Sequence, residues 1–325
     1  MPSVLSGRMS LTSLLRERHT PVREFVESRL PNLKGFQARW RECGPIQIAS
    51  PPGAGSAGTI GTAFDYRLRY FFVVTPPGDV VAIHGATRLA GSRSRDGAFE
   101  ALDRLADGTD VFSSILAGLE QLVDQARPVG RRLALAEETD LCRYCYVLAL
   151  YDECYRMAGE GESPLLGLAP NAVVEDAMAL VPEAAVEDLC ALVDGLHRSE
   201  LASHTGLVNA NPTFSGSRLA GGADGDLIFG DCLIDAKATI SGLRREWVYQ
   251  LIGYALLDFD DALGIRRVGF YHARVPALPT WDFQEMLDEA AGQTVDIASL
   301  RHDFRAVLPT GRDGRRSGRP TQPPA

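Results

Sequence analysis

The chain changes hydrophobic rhythm near residue 209: before it the apolar positions recur at helical spacing, and after it short β-like runs flank one long helix. Residues 10–42 read as helix interrupted at Pro21 and Pro31, followed by a Pro/Gly/Ser-rich linker from Ala49 to Gly58. Within GTIGTAFDYRLRYFFVV, Ile60, Ala63, Phe64, Leu68, Phe71 and Phe72 share one face of a core helix. Amphipathic helices are expected through about 97–200, one carrying Phe112, Ile115, Leu119 and Leu122 and another Tyr144, Leu148, Tyr151 and Tyr155. Beyond Asn209 come LIF, CLI, a helix over Leu243–Phe259 and the strand-like RVGFYHARV. Helices followed by such a unit predict an α/β or α+β fold.

The β-like part holds the most informative segment, GGADGDLIFGDCLIDAKAT. Gly230-Asp231 reads as a two-residue hairpin turn of the II′ kind, which places Phe229 opposite Cys232 and Leu227 opposite Ile234. Extended by two residues at a time, the register sets Asp226 opposite Asp235 and Asp224 opposite Lys237, all on one surface. Opposed Cβ atoms lie roughly 5 Å apart, so two carboxylates there repel unless a cation sits between them. Mg²⁺ suits such oxygen donors, lowers the pKa of its water and neutralises phosphodiester charge. Lys237 is then placed to orient the attacking water. Read singly, these residues are ordinary turn and strand-edge chemistry; it is the set that points to a site.

An acid on one strand, a short hairpin and then Asp235-Ala236-Lys237 resembles the core of the PD-(D/E)XK nuclease superfamily, although Gly225 or Ala223 stands where that pattern has Pro. A second signature, Gln250-x-x-x-Tyr254 in REWVYQLIGYALL, resembles the RecB-like branch. The resemblance implies a restriction-endonuclease-like core, a small mixed sheet flanked by helices, together with a largely helical N-terminal and central region. It also implies a metal-dependent nuclease, a hydrolase of DNA phosphodiesters. Asp226, Asp235 and Asp224 with the Ala236 main-chain carbonyl would hold Mg²⁺ or Mn²⁺, Lys237 and Gln250 would position water and substrate, and Tyr254 would support them. That branch carries a Gly-x-x-x-His element on an early helix; Asp65 stands where the His would be, either as a further oxygen ligand or simply paired with Arg69 one turn on. The implied domains are a helical segment and linker at 1–57, a nuclease-like domain at 58–295 with its helical insertion, and a mostly disordered basic tail at 296–325 containing Arg312, Arg315, Arg316 and Arg319.

The bulk numbers narrow the alternatives. A net charge of −9 argues against coating nucleic acid by bulk electrostatics, so DNA contact must be local. No run of about 18 apolar residues or compact signal segment is seen, which makes the cytoplasm the expected location and excludes a membrane role. The six cysteines are expected as thiols. Cys142, Cys145 and Cys154 suggest cluster spacing, yet only Cys232 lies in the β-rich part, so an iron–sulfur cluster is not expected. His197 and His204 are set aside as structural, and no phosphate-binding Gly-rich loop ending in Lys-Ser/Thr occurs. Two other readings stand beside the nuclease: a catalytically inactive binding or scaffold module of the same fold, and a glycosyltransferase reading of Asp224-Gly225-Asp226 as Asp-x-Asp. The helical first half is a candidate surface for a protein partner.

Overall fold

A computed structural model describes residues 9–73, 80–91, 95–156, 163–169, 171–204 and 206–309. Its centre is a five-stranded mixed sheet in sequential order: β1 (Val208–Ala210), β2 (Leu227–Phe229), β3 (Cys232–Lys237), β4 (Arg267–His272) and β5 (Thr280–Asp282). All neighbours are antiparallel except β3 and β4, which are parallel and joined through helix α11 (Arg245–Leu256). A parallel pair needs such a crossover, and the long apolar helix after β3 supplies it.

Period-two alternation gives the sheet two buried faces. Leu227, Phe229, Cys232, Ile234 and Tyr271 join one core, built with α4 (Ala57–Phe72), α5 (Ala82–Gly91), α7 (Val111–Ala126), α8 (Leu135–Arg156) and α10 (Glu183–Arg198). Ile228, Leu233, Val268 and Phe270 join the other, built with α1 (Leu11–Arg16), α2 (Pro21–Arg29), α3 (Lys34–Glu42), α11, α12 (Phe283–Ala291) and α13 (Ile297–Val307). Helices α6 (Arg95–Ala106) and α9 (Val174–Met178) complete the helical side. The chemistry at the helix ends is local. Ser10, Thr20, Ser56 and Asp110 each accept a backbone N–H from three residues on and start α1, α2, α4 and α7, and Pro21 fills the first position of α2, where no N–H is needed. Helices α5 and α8 pack so closely that a Cβ on Gly85 would lie 1.7 Å from the Tyr151 carbonyl oxygen.

Three expectations change. Residues 11–42 are no appendage: α1 lies on α11 and α2 on α13, and together they cover a sheet face that solvent would otherwise reach. The helices expected over 97–200 do not stand apart: α5 packs on α8, and α4, α8 and α10 form a single layer. The tail expected from 296 is helical through 307, where Asp296 caps α13 and Leu300, Arg301 and Phe304 are buried; the basic stretch from Arg312 lies outside the described residues. Among the described residues no helix is long and apolar enough to cross a membrane.

Candidate metal centre at the strand fork

The β2–β3 hairpin has the register that its turn implies, Phe229 with Cys232 and Leu227 with Ile234. Gly230 takes φ +56° while Asp231 does not turn positive, as a II′ geometry needs. Beyond Leu227 the two strands part. The β1–β2 register continues, since the Asn211 N–H donates to the Asp226 carbonyl at 2.9 Å and Thr213 bridges Asp224. Asp224 therefore pairs along β1 rather than opposite Lys237, a correction to the extended ladder. Asp226 spans the gap with its side chain, where Oδ2 accepts the Ala236 N–H at 2.6 Å. On the far edge of β3 the Lys237 carbonyl accepts from Ala273, so backbone alternation turns the Ala236 carbonyl toward the fork.

Asp235 and Lys237, two apart, share the face toward α11. Asp235 is only 2 % exposed, and its Oδ2 lies 2.5 Å from Lys237 Nζ. The ammonium also sits 5.7 Å above the Trp247 ring. Burial pushes the Asp235 carboxyl above its ordinary range, with Lys237 pulling the other way. Asp226, half-buried, is pushed up to about 6, first by burial and then by the Asp235 charge, against the pull of Lys237, the Ala236 N–H and Arg69.

Helix α4 brings a second pair to the same place. Asp65 Oδ2 lies 2.5 Å from Arg69 Nη2, the i,i+4 pairing that the sequence allows. The Asp65 charge acts on Asp235, and the Arg69 guanidinium feels Asp224 and Asp226 besides Asp65. From α11, Gln250 Nε2 donates to Tyr254 Oη at 2.7 Å and to Thr12 Oγ1 at 3.2 Å. Tyr254 is buried against the Phe214 ring, and burial together with the charges of Asp235, Asp226 and Asp224 keeps its phenol protonated far above neutral pH.

The fork thus gathers Asp65, Asp224, Asp226, Asp235, Lys237, Gln250 and Tyr254, and adds Arg69 and Thr12, which sequence reasoning did not single out as site residues. Among the described residues the carboxylates of Asp65, Asp224, Asp226 and Asp235 and the cations Lys237 and Arg69 share these partly buried surroundings. The donors are hard oxygens, the chemistry that Mg²⁺ or Mn²⁺ takes. Among the described residues no three His, Cys, Asp or Glu side chains are gathered around one point as a ligand set: Asp235 is closed on Lys237, and Asp226 on the Ala236 N–H.

Other candidates fall elsewhere. His197 packs on Phe71 and His204 on Phe229, both on the opposite face of the sheet. All six cysteines are free thiols; Cys142 and Cys145 are buried in α8, and Cys142 has Cys190 Sγ 3.8 Å away. His272, which pairs with Lys237 across β3–β4, stacks on Trp40 with ring centroids 4.1 Å apart. No protein-family model, curated protein or solved structure matches this chain.

Proposed function

We propose that the chain is a divalent-metal-dependent nuclease that hydrolyses DNA phosphodiester bonds, in keeping with its resemblance to the RecB-like branch of the PD-(D/E)XK superfamily. One observation carries the reading: where β2 leaves β3, four carboxylates gather against two cations beside a Gln–Tyr pair from the crossover helix. Asp226 and Asp235, with Asp224 and the Ala236 carbonyl, would hold Mg²⁺ or Mn²⁺. Such an ion acidifies its water and offsets phosphodiester charge.

The protein's own groups supply the rest. Lys237, now held by Asp235 at 2.5 Å, would be released from that carboxylate once Asp235 served as a metal ligand, and its ammonium could then orient water and neutralise charge building on the phosphate. Tyr254, held protonated, remains a hydrogen-bond donor at neutral pH, and Gln250 fixes its orientation from one turn away. Titration calorimetry should show Mn²⁺ uptake that Asp235→Asn removes. Purified protein with Mg²⁺ or Mn²⁺ should cut at least one of linear, circular or single-stranded DNA, and Lys237→Ala should abolish cutting while the far-ultraviolet circular dichroism is unchanged. Absence of cutting in every combination sinks the reading.

A binding module without catalysis is the second reading, favoured by the closed Asp235–Lys237 pair. It expects DNA retention with no dependence on Mn²⁺ and no loss on Asp235→Asn.

A further inference from the structure

Arg69 stands out among the groups at the fork. It is 95 % buried, since its exposure is 5 %, yet it is partnered through one nitrogen only. Nη2 is held by Asp65 at 2.5 Å, and the guanidinium carbon lies 5.3 Å from the centroid of the Tyr66 ring. Tyr66 is itself anchored, with its hydroxyl donating to Asp152 at 3.0 Å and accepting the Ala82 N–H at 3.2 Å. Among the described residues Nε and Nη1 have no hydrogen-bond acceptor. Other buried arginines leave less open: Arg67 satisfies Nε and Nη2 on Glu138, and Arg274 satisfies both Nη atoms on Asp188.

A buried guanidinium with open donors is costly unless something fills them. Asp224 and Asp226 act on Arg69 through their charge, so the group belongs to the acidic fork. With Nη2 taken by Asp65, the Nε–H and Nη1–H bonds point apart, so each can donate to a separate oxygen acceptor, and the Asp65 and Tyr66 clamps fix their directions beforehand. With a dication neutralising the carboxylates, a phosphate oxyanion becomes the fitting acceptor.

We propose that Arg69 is a phosphate-binding residue of this site, donating from Nε or Nη1 to a non-bridging oxygen of the phosphodiester or of the product's terminal phosphate. This rests on the metal-centre reading above. Substrate charge is then read by one buried arginine from the helical layer, which accounts for how a chain with a net charge of −9 can hold a nucleic acid.

The test uses inorganic phosphate and thymidine 5′-monophosphate as probes on the Mn²⁺-saturated full chain, by titration calorimetry, with wild type, Arg69→Gln and Arg69→Lys. The expected result is phosphate affinity at least about tenfold weaker in Arg69→Gln and intermediate in Arg69→Lys, the size of one lost charge-assisted hydrogen bond. Mn²⁺ affinity should be retained or increased, because a positive charge has been removed. Equal phosphate affinity in all three proteins overturns the assignment while leaving the metal centre standing. Absence of Mn²⁺ uptake by the wild type overturns both. If Arg69→Gln does not fold, wild-type crystals soaked in Mn²⁺ and phosphate decide the matter: density within hydrogen-bond reach of Nε or Nη1 supports the proposal, and phosphate bound only elsewhere refutes it.

Discussion

Two arginines two residues apart on α4, and so on nearly opposite sides of it, separate the helical layer from the fork. Arg67 points into the helical core and is closed on Glu138 through two bonds, Nε–Oε1 at 2.6 Å and Nη2–Oε2 at 2.8 Å. Arg69 is held by Asp65 and feels the charges of Asp224 and Asp226 besides. Arg67 is thus matched by Glu138, as Arg274 is by Asp188. At the fork burial pushes Asp226 and Asp235 up, so their charge is held at a cost. Pairing of the first kind preserves an interior; crowded, desolvated carboxylates of the second kind raise the energy of the empty state and make it responsive to an added cation.

The largest effect should come from opening a closed pair. Glu138→Ala leaves the Arg67 guanidinium in the core without its carboxylate and should cost about 3–5 kcal/mol of unfolding free energy, measured by urea denaturation. A cost below about 1 kcal/mol, the level of an exposed pair, would mean that the helical layer does not depend on matched charge and would break the contrast.

The fork should behave in the opposite sense. Removing one of its acids should stabilise the ion-free protein, so Asp226→Asn should gain about 1–2 kcal/mol at neutral pH, with the Asn oxygen still able to accept the Ala236 N–H. The sign follows from the carboxyl being raised from 3.8 to about 6 on folding. The folded state then binds this proton more tightly than the unfolded chain does. The resulting destabilisation is absent below the unfolded value, grows as pH rises between the two, and is complete above about 6. The advantage of Asp226→Asn should therefore fade as pH falls from 7 toward 4. Saturating Mn²⁺ should reverse it, because only the wild type keeps both ligands. A stability difference that is flat with pH and indifferent to Mn²⁺ would remove the electrostatic account of the site.

The parts of this arrangement that sequence could reveal are those set by local chemistry. The Gly230-Asp231 turn and the alternation around it fix the hairpin register, and the apolar face from Val248 to Leu256 announces the crossover helix, although Arg244 is already extended and the Leu257 carbonyl is taken by Gly216, so that helix is shorter than its pattern. What escaped depends on partners distant in sequence. Strand β1 is only Val-Asn-Ala, with too few residues for a period to show, yet its register carries Asp224 and Asp226 away from β3. Asn211 takes φ +57°, a conformation Asn adopts more readily than most residues, between the ladder and the Thr213–Asp224 bridge that continues its register. Helix α13 did carry a signal, with Ile297, Leu300, Phe304 and Val307 on one face, but it was hidden by the basic composition that follows. Arg69 was visible only as a companion of Asp65; its burial and its open donors are tertiary facts.

The smallest effect sharpens the comparison by touching α4 without touching its charges. Ser56 caps this helix, its hydroxyl accepting the Thr59 N–H at 3.0 Å, and Ser56→Ala should cost about 1 kcal/mol. Asp65 and Arg69 lie more than two turns further along, where neighbouring helices and strands hold the backbone, and fraying at the cap does not reach them. The variant should therefore melt earlier by urea denaturation while its Mn²⁺ affinity and its response to phosphate match the wild type. If capping loss at Ser56 weakened Mn²⁺ binding as much as it weakened the fold, α4 would be transmitting strain along its whole length, and the helical layer and the fork would have to be treated as one electrostatic and mechanical unit.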